Sequence, residues 1–111
     1  MVLLYLNSDQ MGHGEEALGQ KLLLTFLDQL AASDVQVDLV GCVNYGVRLT
    51  SKDSPALPAL RKLEERGARI ASCGTCLDHY GIRDALAIGE VGNMSQTVQV
   101  MAMADRVIRP C

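Results

Sequence analysis

A chain of 111 residues with a net charge of −3 has room for a single domain, residues 1–111, and excludes a second folding unit or a large catalytic barrel. Apolar residues make up 49% and charged residues 21%, with ten Gly and three Pro, the profile of a globular domain rather than a disordered or fibrous one. Ten Lys/Arg against thirteen Asp/Glu provide no basic stripe to follow a phosphate backbone, so no nucleic-acid partner is expected.

The longest apolar runs, 1–6 and 22–24, fall far short of a membrane span. The opening residues lack a basic region and turn polar at Asn7, unlike a signal peptide. A cytoplasmic location with no membrane partner is therefore expected, where thiols stay reduced. Four cysteines then read as chemistry, metal binding or packing rather than as a disulfide framework.

Residues 2–6 are continuously apolar, the pattern of a strand buried on both faces. Residues 10–14 are too glycine-rich for regular structure. A helix is expected over 15–32, where Leu18, Leu22, Phe26 and Leu30 recur at i+4 and Leu23 and Leu27 widen the stripe. Glu15 and Glu16 suit the positive end of its dipole. A second strand is expected over 35–43, ending at the turn residues Asn44, Tyr45 and Gly46, with a polar loop through Asp53. Ser54 and Pro55 read as N-cap and first residue of a second helix carrying Leu57, Leu60 and Leu63 inward and stopped by Gly67.

Residues 68–72 form a short third strand that delivers Cys73-Gly74-Thr75-Cys76 to a brief helix over 77–80, with another turn at 83–87. Residues 88–93 suit either a fourth strand or a loop. A helix over 94–104, capped by Asn93 or Ser95, is expected to turn Val98, Met101 and Ala102 inward, with Met94 and Met101 in the core. Residues 107–108 make a last strand, ended by Pro110. Alternating strands and helices predict an α/β fold with a parallel sheet.

In a parallel sheet every strand-to-helix loop emerges at one edge, where ligands bind. Ser8, Asp9, Met11, Gly12, His13 and Gly14 follow the first strand there, Asn44, Tyr45 and Gly46 the second, and the cysteine motif the third, with Asn93 joining them. Cys42 and Cys111 also fall at strand ends on this edge. Two thiols separated by two residues at a strand-to-helix junction can reach disulfide distance, and the free N–H groups of the helix favour a thiolate. Cys73, first out of the strand, is the expected nucleophile, and Cys76 the residue placed to resolve it. A half zinc site, completed by His79 with His13 or Cys42, and inert packing are the alternatives.

The 8–14 loop occupies the place where flavodoxin-like proteins hold phosphate. It lacks the Walker lysine and the Gly-x-Gly-x-x-Gly pattern, so no cofactor is expected, and its glycines read as a tight turn against the cysteine loop. His79 is placed to raise the thiolate fraction of the pair or to serve structure. His13 reads as a proton carrier or a solvated side chain, and Tyr45 as a plug for the crevice.

The ordered set of motifs resembles the DsrE/DsrF-like family, and more closely the C-terminal domain of YedF-type proteins linked to selenium metabolism. It comprises Ser8-Asp9-x-Met11-Gly12-x-Gly14 with Leu18-Gly19, then Asn44-x-Gly46-Val47 and Cys73-Gly74-Thr75-Cys76-Leu77-Asp78-x-Tyr80-Gly81. Gly89-Glu90-Val91-x-Asn93-Met94 and Ala104-Asp105-Arg106-Val107-Ile108 complete it. The resemblance implies a three-layer α/β/α sandwich with a five-stranded, mainly parallel sheet, assembly into oligomers, and relay of sulfur as a persulfide on the cysteine after the third strand, here Cys73. YedF-type proteins carry a further N-terminal domain with a Cys-Pro motif, which this sequence lacks, so the donor is expected to be a separate chain.

Three functions follow as expectations. The first is a sulfurtransferase-like carrier, relaying sulfur or selenium between donor and acceptor proteins and forming a homo-oligomer. The 8–14 and 44–46 loops would line its crevice. The second is a dithiol redox protein using Cys73 and Cys76. The third is a non-catalytic assembly subunit whose cysteines bind metal or nothing.

Overall fold

A computed structural model describes all residues, 1–111. Its elements in chain order are β1 (Val2–Leu6), α1 (Glu16–Ala32), β2 (Leu39–Cys42), a 3₁₀ segment (Asn44–Thr50), α2 (Leu57–Glu65), β3 (Arg69–Cys73) and α3 (Gly74–His79). A short 3₁₀ turn (Arg83–Ala85), β4 (Glu90–Gly92), α4 (Met94–Met103) and β5 (Arg106–Ile108) complete it.

The five strands form one sheet in the order β4-β3-β2-β1-β5, with every pairing parallel. Steps from β1 to β4 all go one way, so right-handed crossovers put α1 and α2 on the same face; the return to β5 sends α4 across the opposite face. Leu4, Leu6, Val40 and Ile70 point to the first face and meet Leu23, Leu27, Leu60 and Leu63 in the main core. The layers are thus α1, α2 and the short α3, whose Leu77 joins the main core, then the sheet, and α4 alone.

Several boundaries differ from the sequence expectation. The second strand begins at Leu39 rather than residue 35, because Leu39 pairs with Leu3 and the neighbouring β1 has only Val2 before it. The preceding segment is tied mainly by side chains: Arg66 donates to the carbonyl oxygens of Ala31 and Val35, and the Asp38 carboxylate accepts from Val2 N–H at 2.7 Å, while the Asp38 backbone bonds Val2 O and Arg69 N–H. The second helix starts at Leu57; Ser54 instead closes a turn by accepting from Ala56 N–H at 3.1 Å. The region expected as a polar loop is the 3₁₀ segment, with Val47, Leu49, Thr50 and Ser51 buried. The third helix starts at Gly74, not residue 77, and 88–93 contains a true fourth strand.

Two helix faces are rotated from expectation. In α1, Gly19, Leu23, Leu27, Leu30 and Ala31 are buried, while Leu18 and Leu22 lie outside. The backbone of residues 10–11 packs on Gly19, with Met11 N–H donating to its carbonyl at 2.9 Å, and a Cβ at Gly19 would stand 2.9 Å from Gln10 Cβ. That contact fixes which face turns inward. In α4 no residue is fully buried. Val98, Met101 and Ala102 face outward, and Met94 and Met101 are not core residues; Met94 is 54% and Val98 63% exposed. Gln96, Thr97, Gln99 and Val100 line the space between α4 and the sheet instead. Asn93 is its cap, accepting from Gln96 N–H at 2.9 Å. No helix is long and apolar enough to cross a membrane.

Candidate thiol site

Cys73 is both the last residue of β3 and the N-cap of α3. β3 alternates Arg69, Ala71 and Cys73 on the α4 face with Ile70 and Ser72 on the core face. The Cys73 side chain therefore opens into a cavity of about 240 Å³ between the sheet and α4. The residue itself is only 6% exposed. Gly41, Ala71 and Gly92 floor this cavity, and α4 roofs it. The hollow beside the thiol is thus built by the sheet face and a crossing helix rather than by neighbouring turns.

Burial raises the Cys73 thiol, but the N–H groups of Cys76 and Thr75, together with the Cys76 thiol and the Thr75 hydroxyl, outweigh it and hold Cys73 below the ordinary thiol value. The helix N–H groups do not reach the sulfur at regular cap geometry, so they act on it as oriented dipoles. Cys76 moves the opposite way. Burial raises it, the Asn44 N–H opposes that, and its hydrogen bond and proximity to Cys73 raise it further. The pair is thereby divided into one thiolate-prone sulfur and one that keeps its proton.

Asn44 is the link between the loop after β2 and the pair. Its N–H donates to Cys76 Sγ at 3.1 Å, and its Oδ1 accepts from the Tyr80 hydroxyl at 2.7 Å. Its φ of +49° lies in the left-handed region, tolerated by Asn more readily than by most side chains. Gly46 is required for a different reason: a Cβ there would stand 2.1 Å from Leu6 O. The 3₁₀ segment can turn so tightly over the end of β1 only without a side chain. Tyr80 also meets the rings of Tyr45 and His79 edge-on, at 5.1 and 5.0 Å.

Tyr80 was not among the expected site residues, although it follows Cys76 by one helical turn, a spacing that brings both to one side of α3. Asp78 and Arg83 were missed too. Arg83 grips Asp78 through Nε and Nη2 at 2.6 and 2.9 Å and donates to Gly74 O at 3.4 Å, bracing α3 from beneath.

The remaining expected residues lie elsewhere. Asn93 lines the Cys73 cavity; Ser8, Asp9, Met11, Gly12, His13, Gly14, Tyr45 and Gly46 do not. The 8–14 loop folds back on α1 rather than onto the cysteine loop: Ser8 Oγ accepts from Gln10 N–H at 3.1 Å and Asp9 from Gln20 at 3.2 Å. Gly12, His13 and Gly14 are exposed, as are Thr75 and His79. Cys42 is buried in the core, its thiol pushed up to about 12 by burial and the nearby Cys111. Cys111 approaches Ser8 O at 3.8 Å. All four cysteines are free, and no three His, Cys, Asp or Glu side chains gather to hold a metal ion.

The fold is shared with solved structures. YchN from E. coli is 19% identical with a TM-score of 0.67, covering 97% of both chains. MTH1491 from Methanobacterium thermoautotrophicum is 23% identical with a TM-score of 0.70, covering 98% of this chain and 97% of its own. BT1422 from Bacteroides thetaiotaomicron is 12% identical with a TM-score of 0.65, covering 97% and 93%. No curated protein matches the chain. The model of the DsrE/DsrF-like family matches residues 14–110, and the chain belongs to that family.

Proposed function

We propose that the protein is a sulfurtransferase-like carrier that relays sulfur as a persulfide on Cys73. The observation that carries this reading is a thiol held below its ordinary value at the wall of a partly open cavity. The Cys73 thiolate attacks the outer sulfur of a donor persulfide R–S–SH. A bond forms between Cys73 Sγ and that sulfur, the donor S–S bond breaks, and the donor leaves as R–S⁻ with the electron pair. The same exchange, run with an acceptor thiolate attacking the outer sulfur of the Cys73 persulfide, delivers it. Selenium can follow the same path. A separate donor molecule and an acceptor protein in the cytoplasm suit this role.

A neighbouring thiol would ordinarily cut such a persulfide short by attacking its inner sulfur. Cys76, raised above the ordinary value by burial and by Cys73 against the opposing Asn44 N–H, stays a thiol at neutral pH and attacks slowly. It instead donates a hydrogen bond to the sulfur on Cys73. The outward stripe of Met94, Val98 and Met101 on α4 supports burial of that face in a homo-oligomer, since contiguous apolar surface of this kind marks an association site.

Incubation with a persulfide donor followed by peptide mass spectrometry should find one added sulfur atom on Cys73, and none in Cys73→Ser. Equal loading of that variant would refute the carrier role. Closeness of the two sulfurs favours one second reading, a dithiol couple. A reversible disulfide that needs Cys76 supports it, whereas sulfur loading that survives Cys76→Ser supports the carrier.

A further inference from the structure

The Cys73 cavity continues away from the thiol along β3. Arg69 lies four residues before Cys73 on the same face, about 13 Å away along an extended strand. Its guanidinium bonds Glu90 on β4 at 2.6 Å, and both residues line the cavity. Glu90 pairs with Ala71; the floor consists of Gly41 and Ala71, which pair across β2 and β3, and of Gly92, which pairs with Cys73 from β4. Their lack of bulk is what makes the groove: a Cβ at Gly92 would already stand 3.3 Å from that of Ala71. The roof contributes Gln96, Thr97 and Gln99, hydrogen-bonding groups where an ordinary helix–sheet contact would be apolar.

We infer that this groove binds a small zwitterionic persulfide, of the size and charge of a single amino acid, as the sulfur donor to Cys73. The inference rests on the carrier reading and names its substrate class. A free carboxylate meets Arg69, a free ammonium meets Glu90, and the persulfide chain lies over the glycine and alanine floor toward Cys73. The Arg69–Glu90 pair is well exposed, at 74% and 57% of the two side chains. Such pairs are weakly held, so exchanging one another for the charges of an incoming zwitterion costs little. The volume of about 240 Å³ lies below the range for drug-sized ligands, roughly 300–1,000 Å³, and matches an amino acid more closely than a peptide. The chemistry balances without a further reagent: the Cys73 thiolate takes the outer sulfur, and the amino-acid thiolate departs with the bonding pair and takes up a proton from water.

The test measures the rate at which one sulfur atom appears on Cys73 from three donors. These are cysteine persulfide, the uncharged N-acetylcysteamine persulfide, and glutathione persulfide, which carries the same charges on a larger frame. The intact chain should load from cysteine persulfide about tenfold faster than from the uncharged donor, the scale of two exposed charge contacts. In Arg69→Gln and in Glu90→Gln, both at exposed positions, that ratio should fall close to one. A ratio near one in the parent, or one unchanged in both variants, overturns the inference while leaving Cys73 as a carrier. Glutathione persulfide matching cysteine persulfide overturns the size selection. Loading from none of the donors overturns the carrier reading itself.

Discussion

Behind Cys73, on the core face of the same strand, Ser72 and Thr50 share a hydrogen bond of 2.7 Å, and both are fully buried. Thr50 Oγ1 also lies 3.0 Å from Val47 O. Its single hydroxyl hydrogen, directed there, makes Ser72 the donor of the shared bond. Val47 O has a second partner in Ser51 Oγ at 3.0 Å. The two deletions are therefore unequal. Thr50→Val keeps the shape and leaves Val47 O served, but strands a buried Ser72 hydroxyl without its oxygen acceptor, a loss of about 1–3 kcal/mol. Ser72→Ala removes the donor and leaves Thr50 still bonded to Val47 O, a loss of about 0.5–1.5 kcal/mol. The double variant has no stranded group and should lose about 1 kcal/mol, less than the two single losses together. Urea unfolding followed by circular dichroism, with equal slopes in all four proteins, gives the cycle. Strictly additive losses would mean that the pair does not act as a unit and would refute the donor assignment.

Four more outcomes follow from the site. Alkylation by iodoacetamide needs the thiolate, so Cys73 should be modified from a lower pH than Cys76, with Cys42 protected until the chain unfolds; labelling of Cys76 first in mapped peptides contradicts the division of the pair. Because the folded Cys73 binds its proton less tightly than the unfolded thiol, its contribution to stability is present in full above the unfolded value and is lost as pH falls through the lower folded one. Gly46→Ala forces a Cβ to 2.1 Å from Leu6 O and should destabilise by several kcal/mol, on the order of 3 or more, or prevent folding; a thermal midpoint near the parent's would exclude the close approach. Tyr80→Phe removes the bond to Asn44 Oδ1 and should lower stability by about 0.5–1 kcal/mol, with slower alkylation of Cys76 as the Asn44 N–H that favours its thiolate loosens; an unchanged Cys76 rate refutes the linkage.

The parallel fold and the place of Cys73 were legible because each depends on local signals. The apolar run of β1, the Gly67 stop at φ +104°, the Asn93 cap and the thiol motif after β3 all act within a few residues of where they are written. The rotation of α1 was not, since Leu18, Leu22, Leu23 and Leu27 offer two overlapping apolar arcs. The choice between them is made by Gln10 and Met11 closing on Gly19, a tertiary contact. Thr50 and Ser51 read as loop residues because their hydroxyls are polar; they are buried because Val47 O and Ser72 wait for them. The cavity had no sequence signature either. It arises from Gly41, Ala71 and Gly92, three small residues far apart in the chain that parallel register brings to one floor. The outward methionines of α4 follow an ordinary helical period, which says that a face is apolar and not what it meets.

The outermost strands of the sheet, β4 and β5, are three residues each. Glu90 and Arg106 stand at their starts, and Pro110 follows β5. Edges so abbreviated, charged and proline-flanked give another chain little template for main-chain pairing. Growth by adding strand to strand, the route to fibrous aggregates, is closed at both borders. Contact between copies is thereby steered away from strand pairing and toward the helix surfaces.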